Sequence, residues 1–335
     1  MYLRSYRVRK SQKKSLCEHT ASSARERMLT RTPTVIVLAG LCCLLWGSAF
    51  PCIKIGNGLF GISGGDIASE VLFAGVRFSL AGVLVLVFVG LSSRRLPTLN
   101  KSDVGPALVL SIFQTTLQYA LFYPGVSMSQ GTTASIVEGA GTFFTVLMAA
   151  LLFGQERLTR RKVLGCLVGF TGVALISASS SVTSASDGSQ AIGTLLILAS
   201  TLAASTSACL IKGFSEKHDP VLLSGWQFLI GGISLSVAGL AAGGQLKPQT
   251  VAAAPMLLYL ALISALAYSI WSILLKHNEV SRVVIFGFMN PVFGVILSIL
   301  LLAERPAIAP LQIVVALALV CVGIVIVNRV PHAKS

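Results

Sequence analysis

The sequence predicts an all-α integral membrane protein of ten transmembrane helices in two inverted five-helix repeats. Three observations predict it. First, the chain is 54% hydrophobic and only 11% charged, where a soluble domain carries about 25% charged residues. That excess comes in blocks of about 20 residues, the length of a spanning helix. Second, the basic residues gather in alternate connections, as the positive-inside rule requires. Third, the fourth and ninth blocks end alike. A repeat of five spans is odd, so its two copies insert upside down relative to one another.

Residues 1–33 are polar and basic, with Arg4, Arg7, Arg9, Lys10, Lys13 and Lys14 close together. The segment has no apolar core, so it is not a secretory signal. Three readings stand: a transit-like leader, a cytoplasmic tail, or a start assigned too early, with Met28 the ordinary beginning. Spans are then expected at about 34–53, 68–90, 104–123, 132–153, 163–180, 191–211, 221–242, 255–275, 282–302 and 308–328. Turn chemistry marks the breaks: Gly56 to Gly65, Leu96-Pro97, Tyr123-Pro124, the Ser-rich 179–189 and Lys247-Pro248. The first repeat covers 34–180, a linker 181–190 and the second repeat 191–330. The apolar runs are continuous and lack the period-two alternation of barrel strands.

With the N-terminus inside, the outside connections hold only Lys54, Lys247 and Arg305. The inside ones hold Arg94, Arg95, Lys101, Arg157, Arg160, Arg161, Lys162, Lys212, Lys217, Lys276, Arg282, Arg329 and Lys334, besides the basic tail. Both termini are therefore expected in the cytoplasm. The net charge of +14 sits at membrane edges, not on amphipathic faces, so the expected partner is the lipid bilayer and not nucleic acid. The seven cysteines form no C-x-x-C pair or Cys/His cluster, and no disulfide framework, metal or cofactor is expected.

The repeat is visible in Phe143-Phe144-Thr145-Val146 running to Gly154-Gln155-Glu156-Arg157, against Pro291-Val292-Phe293-Gly294 running to Leu302-Ala303-Glu304-Arg305. Within six positions four basic residues follow Glu156 and only Arg305 follows Glu304, which agrees with opposite insertion. Leu45-Trp46-Gly47-Ser48-Ala49-Phe50, Arg77-Phe78, Gln118-Tyr119, the segment ending at Glu156, Asn290-Pro291 and Glu304 occur in an order and spacing that resembles the EamA-type half of the drug/metabolite transporter superfamily, over about 34–328. The resemblance implies a ten-helix bundle around a central cavity, and export or exchange of metabolites, amino acids or drugs without ATP. One departure is Phe143, where the family pattern has the proline matched here by Pro291, so a helix break near the cavity is less secure in the first half.

Ionisable groups within a bilayer are costly and default to functional hypotheses. Glu138 lies a third of the way into the fourth span, on one face with Ser135, Thr142 and Thr145. It can bind a cationic group or carry a proton; the bland reading is a protonated acid bonded to a neighbouring helix. Arg77, well inside the second span, either pairs with Glu138, holds a substrate carboxylate, or snorkels to the outer interface. Ser111, Gln114, Thr115 and Gln118 share a face of the third span and either line the cavity or bond helix to helix. Asn290 precedes Pro291, whose missing N–H frees an upstream carbonyl. Trp46, Tyr119, Tyr268 and Trp271 are candidate cavity walls, suited to apolar or cationic ligands. Glu156 and Glu304 sit at helix ends as gate or interfacial residues. Gly165, Gly169 and Gly172 form a close-packing face, within the chain or between subunits.

These features point to a secondary transporter of a small-molecule substrate in a plasma membrane of the bacterial inner-membrane type, exporting by alternating access and coupled to protons through Glu138, as a monomer or homodimer. A nucleotide-sugar or organic-anion exchanger is the alternative, thinly supported by Arg77 alone. A membrane enzyme is disfavoured: there is no H-E-x-x-H or G-x-S-x-G, and His19, His218, His277 and His332 fall in tails or connections. No nucleotide-binding G-x-x-x-x-G-K-[ST] is present either.

Overall fold

The computed structural model describes residues 26–128, 131–178, 188–302 and 310–328. Among them all regular structure is helical. The helices are α1 (Thr32–Leu59), α2 (Ile67–Ser93), α3 (Lys101–Leu110), α4 (Gln118–Met128), α5 (Gly131–Leu151) and α6 (Arg160–Ala178) in the first half. The second half contributes α7 (Gly188–Phe214), α8 (Pro220–Ala241), α9 (Ala253–His277), α10 (Val280–Val284), α11 (Met289–Leu302) and α12 (Pro310–Asn328). A π-helical turn, Ser111–Leu117, joins α3 to α4, and a 3-10 turn, Ile285–Phe288, joins α10 to α11.

Eight stretches of the described residues are long and apolar enough to cross a membrane. Of the ten expected spans, the fourth and fifth are not among these eight. The described apolar part of α5, Val137–Leu151, is shorter, and α6 opens on Arg160, Arg161 and Lys162, which lower its hydropathy. Val37, Leu41, Leu44, Val87, Phe88, Ile233, Val237, Leu300 and Val314 are large, apolar and exposed on the flanks, an arrangement that suits lipid and not water.

Local sequence explains several helix starts. Asp66 caps α2, accepting from the Ser69 backbone N–H at 3.1 Å. The Ser69 hydrogen bonds hold the Asp66 carboxyl below its ordinary pKa. Asp219 caps α8 through the Val221 and Leu222 N–H groups, ahead of Pro220, a position where the missing proline donor costs nothing. Asn100 and Asp103 form a capping box at α3.

Three expectations are corrected. The turn expected at Tyr123-Pro124 is absent; α4 runs through Pro124 to Met128. Packing outweighs the proline: a Cβ added to Gly125 would overlap α7 at Ile197 and Gly193. α1 does not end near residue 53 but continues through Pro51 to Leu59. The linker expected at 181–190 is helical from Gly188; residues 181–187, the tail to residue 25 and Glu304 lie outside the described residues. The break in the second half falls at Ile285–Phe288, just upstream of Pro291, while α5 continues unbroken through Phe143.

The helices pair in a pattern that maps onto itself when the halves are exchanged. α2 packs on α8, and α6 on α12. α1 packs on α9 and α11, and its counterpart α7 packs on α4 and α5. Both central pairs run antiparallel: Leu72 meets Gly239, Ser79 meets Gly232 and Gly82 meets Leu229, while Gly165 meets Val327 and Gly172 meets Ala316. Gly165, Gly169 and Gly172 thus pack within the chain, against α12 and Phe288.

Candidate functional site

The site is built where α1, α2, α4, α5, α8, α9 and α11 converge. Its walls are aromatic. Trp46 stands edge-on to both Tyr268 and Trp271, with ring centroids 5.0 Å apart in each pair. Tyr268 continues to Phe228 at 5.0 Å, Phe228 stacks on Phe78 at 5.4 Å, and Phe78 meets Tyr119 at 4.5 Å. The Tyr119 and Tyr268 hydroxyls share a hydrogen bond of 3.2 Å. Trp46, Tyr119 and Tyr268 are half-buried; Phe78, Phe228 and Trp271 are buried behind them.

Glu138 is the accessible ionisable group. Its side chain is exposed, and it has no hydrogen-bond or ion-pair partner among the described residues. Protein surrounds this position, so the exposed carboxyl faces into the bundle. On α5, Thr142 and Thr145 share its face and are buried, with Thr142 against Gly287. To one side Gly141 abuts Thr201 of α7, and to the other Gly139 abuts Val173 of α6. Its charge also reaches Tyr119 and Tyr268. The side chain of Ser135 lies outside the described residues.

Arg77 does not snorkel and does not pair with Glu138. It is 3% exposed, donates to the Ser264 hydroxyl through Nε at 3.2 Å and Nη2 at 2.9 Å, and lies 4.9 Å from the Phe78 ring centroid. A guanidinium so deep finds α9 before it finds the interface. Arg77→Ala is expected to lower stability by about 1.5–3 kcal/mol, the scale of hydrogen bonds to a charged group. The substrate concentration at half-maximal transport should stay unchanged in the protein that folds. A large rise in that concentration without loss of melting temperature would return Arg77 to the substrate.

The expected polar stripe of the third span is split by the π-helical turn. Thr115 donates to Gln227 of α8 at 2.7 Å, and Ser111 turns back onto Leu108, so both bind within or between helices. Gln114 is buried with Oε1 unpartnered, and Gln118 is half-buried. Asn290 is half-buried with its Oδ1 unpartnered, as is the indole N–H of Trp46. Sequence reasoning passed over Gln227 and Ser264. Each is a polar residue inside an apolar helix, the signal that singled out Gln114, and Ser264 lies one turn before Tyr268.

The end of the bundle that carries the basic connections is closed by a polar network. Glu156, its side chain 1% exposed, accepts from the Ser281 N–H at 3.2 Å and hydroxyl at 2.9 Å, and pairs with Lys162 at 3.3 Å. Lys162 also meets Glu279 at 2.9 Å. Lys212 donates to the carbonyls of Lys276 and Asn278, Asn278 donates to that of Leu29, and Arg282 donates to the Thr32 hydroxyl at 2.8 Å. His218 meets Asp103 at 2.6 Å. These contacts tie both halves together beneath the aromatic walls.

Comparison with known proteins adds the family. The EamA-like transporter family model matches twice, over residues 33–178 and 191–329. An uncharacterized transporter of Archaeoglobus fulgidus is 28% identical over 88% of this chain and 98% of its own length. A probable amino-acid metabolite efflux pump of Escherichia coli is 28% identical over 80% of this chain and 87% of its own. One solved crystal structure of a protein superposes with a TM-score of 0.71 at 17% identity, covering 88% of this chain and 96% of that one, a likeness of fold.

Proposed function

The chain belongs to the EamA-like transporter family, and from that premise we propose that this membrane transporter is a secondary exporter of small metabolites, amino acids or drugs, working by alternating access at a plasma membrane with protons coupled through Glu138. The observation that carries the proposal is a carboxyl accessible from the interior, without a partner among the described residues, above a closed polar network. The antiparallel runs of α2 against α8 and of α6 against α12 support ten spans in two inverted repeats. Inverted repeats supply two nearly equivalent arrangements around a midplane site. The basic end then faces the cytoplasm together with both termini, and the network around Glu156 is its shut gate. The efflux pump relative supports export of amino-acid metabolites. The organic-anion alternative loses ground, since the Arg77 guanidinium is turned to Ser264 and Phe78.

Thiol labelling of Asn290→Cys from each side of sealed vesicles tests alternating access. Labelling above the wild-type level is expected from both sides, in proportions that substrate shifts. Labelling from one side alone under all conditions contradicts the proposal. Adding Glu156→Ala, which releases Ser281 and Lys162, is expected to raise labelling from the basic side severalfold, because a change of about 1 kcal/mol moves a two-state equilibrium about fivefold. Unchanged labelling would remove Glu156 from the gate.

A further inference from the structure

We propose that the opening of α6 is a binding site for an anionic phospholipid of the leaflet at the basic end, its phosphate held by Arg160 and Arg161 and its acyl chains laid on Leu164 and Leu167. The inference rests on the ten-span arrangement proposed above but not on transport, and lipid binding can be measured without flux.

Helix length places the charges. α6 runs from Arg160 to Ala178, 19 residues or about 28 Å, and the hydrocarbon core of a bilayer is about 30 Å thick. A spanning helix with no spare length brings its first residues into the headgroup layer itself. Those residues are Arg160, Arg161 and Lys162. α2 differs: its 27 residues reach about 40 Å, so Arg94 and Arg95 beyond its end stand clear of the hydrocarbon. Within the run at α6 the charges part. Lys162 is buried and turned to Glu156 at 3.3 Å and Glu279 at 2.9 Å. Arg160 and Arg161 are exposed, as is Arg157 just before the helix.

The surface beneath the arginines suits acyl chains. Arg160, Leu164 and Leu167 recur at four- and three-residue intervals and so share one side of α6. Leu164 is 56% and Leu167 49% exposed. Gly165, Gly169 and Gly172 lie on another side, packed against α12 and Phe288, so the leucine side is turned away from the protein. A lipid whose chains cover Leu164 and Leu167 has its phosphate at the level of Arg160 and Arg161. Guanidinium groups hold phosphate oxygens through paired N–H donors. An anionic headgroup keeps the net charge that a zwitterionic one cancels with its own ammonium. Its charge also offsets the repulsion of neighbouring arginines on Lys162, the partner of Glu156 in the network at this end.

Native mass spectrometry of purified full-length protein, given equal amounts of dioleoyl phosphatidylglycerol and dioleoyl phosphatidylcholine, tests the site. Phosphatidylglycerol is expected to be retained at least about tenfold more tightly, the scale of two arginines at a membrane surface. Arg160→Gln with Arg161→Gln is expected to remove most of that preference at an unchanged melting temperature in detergent, since both side chains are exposed. Arg94→Gln with Arg95→Gln, the same loss of charge at another basic connection, should leave the preference at the wild-type level. Equal retention of the two lipids, a preference that survives Arg160→Gln with Arg161→Gln, or one that Arg94→Gln with Arg95→Gln removes as fully, overturns the proposal. Glycerol 3-phosphate carries the phosphate without the chains. In millimolar excess it is expected to leave the bound lipid in place; displacement by it would mark a site for free phosphate and overturn the lipid assignment. Flux in liposomes keeps the two readings apart. Transport by a protein with no preference for phosphatidylglycerol sinks the lipid site and leaves the transporter. A lipid site that depends on Arg160 and Arg161, with no flux, does the reverse.

Discussion

Glu138→Gln is expected to abolish the acceleration of transport by a proton gradient, leaving at saturating substrate only flux that is indifferent to the gradient. Glutamine keeps the size of the side chain and removes its exchangeable proton, so occupancy of the site can no longer be linked to protonation. A gradient drives a cycle only through a group whose protonation differs between its states. The competing account makes Glu138 a structural acid bonded across helices. Among the described residues that account finds no hydrogen-bond partner for the exposed carboxyl. Gradient stimulation surviving at the wild-type level in Glu138→Gln would remove the proton role. Loss of melting temperature in the variant would favour the structural account instead.

Gly232→Ala is expected to cost about 1–3 kcal/mol, the usual penalty for overpacking a filled interface, and to lower the melting temperature and the yield of monodisperse protein. α2 and α8 approach backbone to backbone. A Cβ at Gly232 would overlap the Ser79 backbone, one at Gly239 the Leu72 backbone, and one at Gly75 the Ser236 backbone. Close approach of this kind is how membrane helices gain packing without a hydrophobic driving force. Here it also joins the two halves along the central antiparallel pair, so the added methyl pushes one half from the other. Gly40→Ala is the control, because a Cβ at Gly40 meets nothing within 4 Å. Equal melting temperatures for the two variants would show that the α2–α8 approach does not limit stability.

Much of this was legible because bilayers impose simple rules. Apolar runs, the placement of basic residues and the echo of residues 143–157 at 291–305 all follow from span length, charge at the membrane edge and duplication. Tyr268 and Trp271 could be paired from their spacing, and Trp46 meets both. What escaped depended on partners that spacing does not reveal. The seven-residue recurrence Gly225, Gly232, Gly239 lay unused in the sequence, because its meaning appears only with Gly75 and Gly82 opposite. The π-helical turn at Ser111–Leu117 breaks the phase on which the polar stripe was drawn, so Thr115 goes to Gln227 and Gln118 is half-buried. Pro124 reads locally as a stop, yet packing against α7 carries the helix past it. Arg77 and Glu138 look like a natural ion pair, but Ser264 of α9 reaches the guanidinium, and no local pattern joins α2 to α9. Glu156 was placed at a helix end, as a gate residue or paired with nearby basic side chains, as it is with Lys162; its bonds to Ser281 required the two halves to meet.

The most direct test of the central claim is flux of labelled amino acids, metabolites and organic cations into liposomes holding the purified full-length protein, with and without a pH gradient and with no nucleotide present. The account predicts saturable flux of at least one compound, accelerated by the gradient and no longer accelerated in Glu138→Gln. Flux no greater than that of protein-free liposomes for every compound, from protein that remains folded and monodisperse, would contradict it.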